Sequence, residues 1–535
     1  MRPLALADFD WALDNPVIVK ELRSRMRGAK AYWLLLGYLL VLSLTMFLSY
    51  LGWWTAQTSG SAGNAPTSFA AGREFFSILF YVQASLVSLI TPALTSGAIS
   101  IEREQRTFEL VRCTTLSPRA IVLGKLFSSV SFVVLLLICS LPLVSLCFLL
   151  GGVAPDEVFF SYAMLICDAF LFGAFGIVWS TCAANTAAAT ALAYGTLFGF
   201  FFLTVTFSFG AILPRGVVAF GLSAVNPIGA VTCAATMERY FRLTMPAWVP
   251  GLLLNGLLTA VLCLISINRL EDYPWRRATA LRVTTFVFIA LLVFFLDGAT
   301  VARRAPNTTY DLVAMGIAAL MLFGSPFTTG DSIPDGETRA SRRLLTFNPV
   351  AAFREATLRN SVSTAILLSV MLVIETALVL HATSNNGVVV KSSGGGLSVV
   401  GIVAAVACLY VSTGLTIAGV GVLLSLLFRN RWASVVFTYL VLTLTSLVPS
   451  FTYQYLTLLD IKNMSHPAWI NMLYVSPIAA LDNLCSPSTQ PAFRLLAFAD
   501  TVPAWVVTAC LWSVVGILLL VLAESVAKKM PSTDQ

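Results

Sequence analysis

The chain has 535 residues, of which 58% are apolar and 11% charged, with a formal net charge of +7. Soluble domains carry about half apolar residues and about a quarter charged ones, so this composition excludes an ordinary soluble protein. The positive balance fits a membrane protein with basic loops on one side better than a nucleic-acid binder. The two histidines, His381 and His466, stand far apart and offer no metal constellation; the ten cysteines form no CxxC pair and read as small packing residues.

Apolar runs of about eighteen residues recur along the chain, which indicates transmembrane helices rather than the short alternating segments of a barrel. The fold class expected is an all-α polytopic membrane protein with about 12 transmembrane helices. Asp14-Asn15-Pro16 opens the first helix, with Asn15 as N-cap and Pro16 at the first helical position. Ile18, Leu22 and Met26 recur on one face while Lys20, Arg23 and Arg27 hold another, with Glu21 between them. That pattern predicts an amphipathic helix lying in the membrane surface. No hydrophobic core precedes residue 31, so the run from Leu34 onward is read as an uncleaved signal anchor.

A first span covers 31–54 and ends on Trp53-Trp54, and a second covers 75–99. Between the second and third spans lies the densest polar stretch, 100–125, in which Glu102, Arg103, Glu104, Gln105 and Arg106 are consecutive. At the bilayer centre such charges cost roughly 2.5–3.5 kcal/mol each, so the stretch lies outside the membrane while both flanks cross it. Its first half predicts one short helix with Ile101, Phe108 and Val111 on one side. Glu102–Arg106 and Arg106–Glu109 would pair along another side. Thr114-Thr115-Leu116 ends that helix, and Ser117-Pro118 caps and starts the next one, which becomes the third span to about 150.

Spans at 159–180 and 187–213 are joined by a short turn at Ala184-Asn185-Thr186. The mixed segment 214–245 is too broken to cross and reads as re-entrant or interfacial; a span at 246–267 and a basic stretch at 268–282 follow. The second half holds weaker spans at 283–298 and 310–326, then a polar linker. Asn348-Pro349-Val350 opens a second basic amphipathic stretch, and spans at 365–381, 397–428, 433–448 and 502–523 complete the chain. Basic residues avoid the spans and concentrate in the termini, the polar insert and the linker, which puts both termini in the cytoplasm by the positive-inside rule. Asp168 and Glu375 fall within spans and form a possible intramembrane polar site, the rival role being a structural acid hydrogen-bonded between helices.

The halves echo one another: Asn15-Pro16-Val17 with Lys20-Glu21 matches Asn348-Pro349-Val350 with Arg354-Glu355, and Asn226-Pro227-Ile228 matches Ser476-Pro477-Ile478. The domain reading is therefore a six-helix unit at 1–270, an extra hairpin and basic linker at 271–345, and a degenerate second repeat of about four helices at 346–535. The second copy has no counterpart of the polar insert.

Taken in order, these strings resemble permease subunits of ABC transporters of the type-2 exporter class. Asn15-Pro16 with Lys20-Glu21-Leu22 precedes span 1, and the string from Thr91-Pro92 to Ile99-Ser100 runs into Glu102-Arg103-Glu104. Thr107-Phe108-Glu109-Leu110 and Leu116-Ser117-Pro118, continuing to Gly124-Lys125, complete the match. The resemblance implies an interfacial elbow helix carrying Asn15, Pro16, Lys20, Glu21 and Arg23. It also implies a cytoplasmic coupling helix carrying Glu102, Arg103, Glu104, Gln105, Arg106, Phe108 and Glu109. The implied function is that of the membrane-spanning subunit of an ATP-driven exporter in the cytoplasmic (inner) membrane. No G-x-x-x-x-G-K-[ST] motif occurs, since Gly124-Lys125 is followed by Leu126. The chain is accordingly expected to be no enzyme and to bind no cofactor. ATP-Mg would sit on a dimer of separate ATPase subunits, beside a second permease chain in the lipid bilayer and with no nucleic acid. The alternatives are an ion-coupled secondary carrier, which would want several charges within its spans, and a polytopic membrane enzyme, which would want a catalytic cluster.

Overall fold

The computed structural model describes residues 16–26, 29–58, 68–113, 116–183, 185–208, 237–240, 243–246, 248–270, 278–302, 361–385, 399–428, 431–442 and 504–529, with a few single positions. Two compact units emerge, one formed by Met1–Arg239 with Leu243–Pro274 and the other by Tyr240–Arg242 with Trp275–Gln535.

In the first unit α1 (Pro16–Met26) precedes the long apolar helices α2 (Ala29–Thr58) and α3 (Ser68–Ser96). Two five-residue helices, α4 (Ser100–Glu104) and α5 (Phe108–Arg112), make up the polar insert. Then come α6 (Pro118–Leu150), α7 (Pro155–Cys182) and α8 (Thr186–Ser208). A two-stranded hairpin, β1 (Met237–Tyr240) and β2 (Leu243–Pro246), leads into α9 (Trp248–Leu270). Helix α7 is the hub: it packs against α3, α6, α8 and α9, and its buried side chains run the length of the helix. Close approach of α3 to α7 depends on Gly176, where an added Cβ would overlap Thr95 Oγ1 and lie 3.1 Å from the Ser96 amide. By contrast α2 is peripheral, with 11% of its span buried; Trp33, Leu40, Phe47 and Leu48 face outward, as lipid requires.

Serine and threonine hydroxyls inside these helices return mostly to carbonyls three or four residues back, as with Thr91 to Val87 O and Thr95 to Thr91 O. Several polar side chains that cross between helices meet around Ser140. Gln83 Nε2 donates to Ser140 Oγ at 2.8 Å, and Ser140 and Tyr162 hydroxyls lie 3.0 Å apart. The buried Tyr38 hydroxyl faces this group and interacts with Ser140 and Gln83. Pro92, which lacks an N–H, interrupts α3, and one turn before it the Tyr194 hydroxyl donates to Leu89 O at 2.5 Å.

The second unit contains α10 (Ala278–Ala302), α11 (Ser361–Asn385), α12 (Val399–Leu427), α13 (Arg431–Leu442) and α14 (Ala504–Lys529). Its centre is the α12–α14 crossing. There Gly516 admits the α12 backbone so closely that a Cβ would come within 2.8 Å of the Thr416 amide. Thr416 Oγ1 reaches across to Trp512 O at 2.6 Å. Ser369 and Thr376 of α11 both meet Tyr410 of α12.

Eight helices among the described residues are long and apolar enough to cross a membrane, which makes this an all-α polytopic membrane protein. Of the twelve spans expected, 187–213 and 283–298 contain the shorter apolar helices Thr186–Phe201 and Thr279–Phe295. The expected span 433–448 is represented by α13, which has 12 residues, and 310–326 lies almost wholly outside the described residues. Most of the mixed segment before residue 237, and the second basic stretch from Asn348, also lie outside them.

Candidate functional site: the polar insert and its anchors

The insert is not one helix. Thr107 N donates to Glu102 O at 2.9 Å and Arg106 N to Arg103 O at 3.1 Å, the paired bonds of a Schellman turn. Arg106 occupies the left-handed position with φ 56°, a place usually given to glycine. This turn ends α4 and redirects the chain into α5. The expected Glu102–Arg106 and Arg106–Glu109 pairs do not form, because Arg106 sits past the helix end and Glu102 is engaged elsewhere.

Glu102 is bound by Lys125 of α6. The Lys125 ammonium donates to Glu102 Oε1 at 2.7 Å and to Ala98 O at 2.7 Å, and lies 3.5 Å from Glu21 Oε1 of α1. Its side chain is only 4% exposed, so this is a desolvated cation held between two carboxylates and a carbonyl. Three segments distant in sequence thereby meet at one atom. Helix α6 begins as its residues dictate: Ser117 Oγ accepts the Ala120 N–H at 3.3 Å, with Pro118 at the first position.

A second set of bonds ties the insert to the turn between α7 and α8. Arg103 donates through Nη1 to Ala183 O at 3.0 Å and through Nη2 to Thr181 O at 3.1 Å. Glu104 Oε1 accepts the Thr186 N–H at 2.6 Å, and Asn185 Oδ1 accepts that of Ala188 at 3.0 Å. In return Ser180 Oγ accepts the Ile99 and Ser100 amides, at 2.8 and 3.0 Å. The Ser180 hydroxyl thus takes backbone amides at the turn that separates α3 from α4. Phe108 is buried in the core of the unit, and the Arg103 guanidinium lies over its ring at 5.8 Å.

The tip is left open. Gln105, Arg106, Thr107, Glu109 and Leu110 are exposed, Leu110 by 70%. The insert therefore has a base of bound residues (Glu102, Arg103, Glu104 and Phe108) and a solvent-facing tip of mixed charge around an apolar side chain.

On α1, Glu21 takes part in the Lys125 node while Lys20 and Arg23 are exposed. Pro16 stands at the start of the helix, and Asn15 lies outside the described residues. The two intramembrane acids belong to different units. Asp168 of α7 is fully buried and accepts a hydrogen bond from Asn255 Nδ2 of α9 at 2.9 Å, inside the first unit. Glu375 belongs to α11 of the second unit, and its Oε2 is buried without a hydrogen bond. Among the described residues no group of three or more His, Cys, Asp and Glu side chains could hold a metal ion.

Sequence reasoning missed Lys125, Ser180, Thr186 and Asn255 as site residues. Lys125 had a signal: a cation about two turns into a strongly apolar helix requires a buried anion. Compared with models of protein families and with curated protein sequences, the chain matches none.

Proposed function

We propose that this chain is the membrane-spanning permease of an ATP-driven exporter, and that the polar insert receives force from a separate ATPase subunit. The observation that carries this reading is the division of the insert into an anchored base and an exposed tip. A passive loop between two membrane helices needs neither a buried lysine node nor reciprocal caps to a second hairpin. A lever that must deliver displacement needs both. The exposed Arg106, Glu109 and Leu110 combine charge of both signs with an apolar knob, a surface suited to a protein partner. On this reading the insert and both termini face the cytoplasm, the chain binds no nucleotide, and a second permease chain completes the complex. An ion-coupled carrier has less support, since Asp168 and Glu375 stand in different units and Asp168 is already engaged by Asn255.

The test is purification of the tagged chain from its native membrane. An ATPase subunit should accompany it, and the complex should turn over ATP. The double variant R106E/L110D should lower retention of that subunit by about tenfold or more, a loss expected of a central interface contact, with unchanged melting temperature. Full retention by the variant would sink the assignment of the tip as the contact.

A further inference from the structure

By covalent connection, a push on the insert reaches only α3 and α6, the helices on either side of it. The hairpin α7–α8 carries the hub of the unit, yet the chain links it to the insert through nothing shorter than the whole of α6. We propose that Arg103 and Glu104 clamp the insert to the α7–α8 turn, so that insert and hairpin move as one body and displacement is delivered to four helices.

The geometry is specific to this job. Arg103 grips the terminal carbonyls of α7, where the helix carries partial negative charge, and Glu104 grips the first amide of α8, where the charge is partially positive. Adjacent residues of opposite sign thus address the adjacent ends of opposite polarity that a tight helical hairpin presents. The clamp is reciprocal, because Ser180 near the end of α7 takes the two amides freed where α3 gives way to α4. Two hydroxyl contacts, Ser96 with Thr190 at 3.0 Å and Ser100 with Thr186 at 3.3 Å, continue the seam along α8. Apolar side chains slide past one another with little penalty for a shift of an ångström, whereas charge-assisted hydrogen bonds weaken steeply with misalignment. A seam built of the latter transmits shear.

The source of the force rests on the functional reading above; the clamp itself does not. Its test uses the full chain in lipid nanodiscs with spin labels at Gln105→Cys and Ala187→Cys, both exposed positions, and Cys113, Cys233, Cys408, Cys485 and Cys510 replaced by serine. A reference pair joins Gln105→Cys to Arg119→Cys, across the covalent flank. Both pairs should give a single narrow distance distribution in the otherwise native chain. In R103A/E104A the 105–187 distribution should broaden while 105–119 stays narrow. E104Q, which keeps an acceptor oxygen for the Thr186 amide, should behave as native. A 105–187 distribution that stays narrow in R103A/E104A overturns the clamp, because apolar packing alone would then hold the turn. If both pairs broaden together, the single E104A variant, which keeps the Arg103 bonds, decides on the same criterion. With the ATPase subunit bound, ATP should leave the 105–187 distance unchanged in the native chain; a shift there would overturn movement as one body. Absence of any ATPase partner would instead remove the functional reading while leaving the nanodisc distances intact.

Discussion

Lys125 illustrates how a single residue organises the site. Its ammonium is desolvated and held by Glu102, Glu21 and Ala98 O, so removing it strands a partly buried carboxylate. We predict that K125M lowers unfolding stability by about 3 kcal/mol, in the range for breaking one side of a buried ion pair. The double variant K125M/E102Q should recover much of that loss, since of the node's charges only the more exposed Glu21 carboxylate then remains. Detergent-unfolding midpoints would check both, and an equal loss in the double variant would contradict the pairing. Gly176 is the apolar counterpart. G176A forces a methyl group onto Thr95 and should cost about 1–3 kcal/mol by overpacking.

At the scale of elements, the insert is two short helices because of one backbone position. Arg106 adopts φ 56°, which costs a residue with a Cβ roughly 1 kcal/mol and costs glycine almost nothing. R106G should thus stabilise the fold slightly while weakening retention of an ATPase subunit. R106V should destabilise by more than about 1 kcal/mol, because a β-branched side chain tolerates this region worst. A thermal series of the two variants reads the difference directly; equal melting points would argue against the left-handed turn. The helical period placed Phe108 on the same side as Ile101, whereas the turn separates them, leaving Phe108 buried and Ile101 44% exposed. A pattern of residue types carries no signal for a left-handed arginine, which is why the break was not legible.

For the whole molecule, the membrane reading predicts where water can reach. Among the described cysteines Cys113 is exposed beside the insert, while Cys408 and Cys510 are exposed on apolar helices α12 and α14 and would face lipid. With Cys233 and Cys485 replaced by serine, a membrane-impermeant maleimide should label Cys113 in inverted vesicles and leave it unlabelled in right-side-out cells. The reverse pattern would place the insert outside and remove its access to a cytoplasmic motor.

Composition and the recurring apolar runs of about eighteen residues required helices in a bilayer, since a barrel would show only short alternating segments and no third structure satisfies a backbone in hydrocarbon. Likewise the desolvation cost of five consecutive polar residues required the 102–106 run to lie beyond it. Those conclusions need only local chemistry, and Ser117-Pro118 and Asn185 start their helices for the same local reason. Which groups meet across the fold was decided by tertiary packing. Glu102 pairs with Lys125 rather than Arg106, Asp168 with Asn255, and Arg103 with the carbonyls of a turn about eighty residues away. A charge in sequence announces that it needs a partner; only the packing of the helices brings that partner within hydrogen-bond distance.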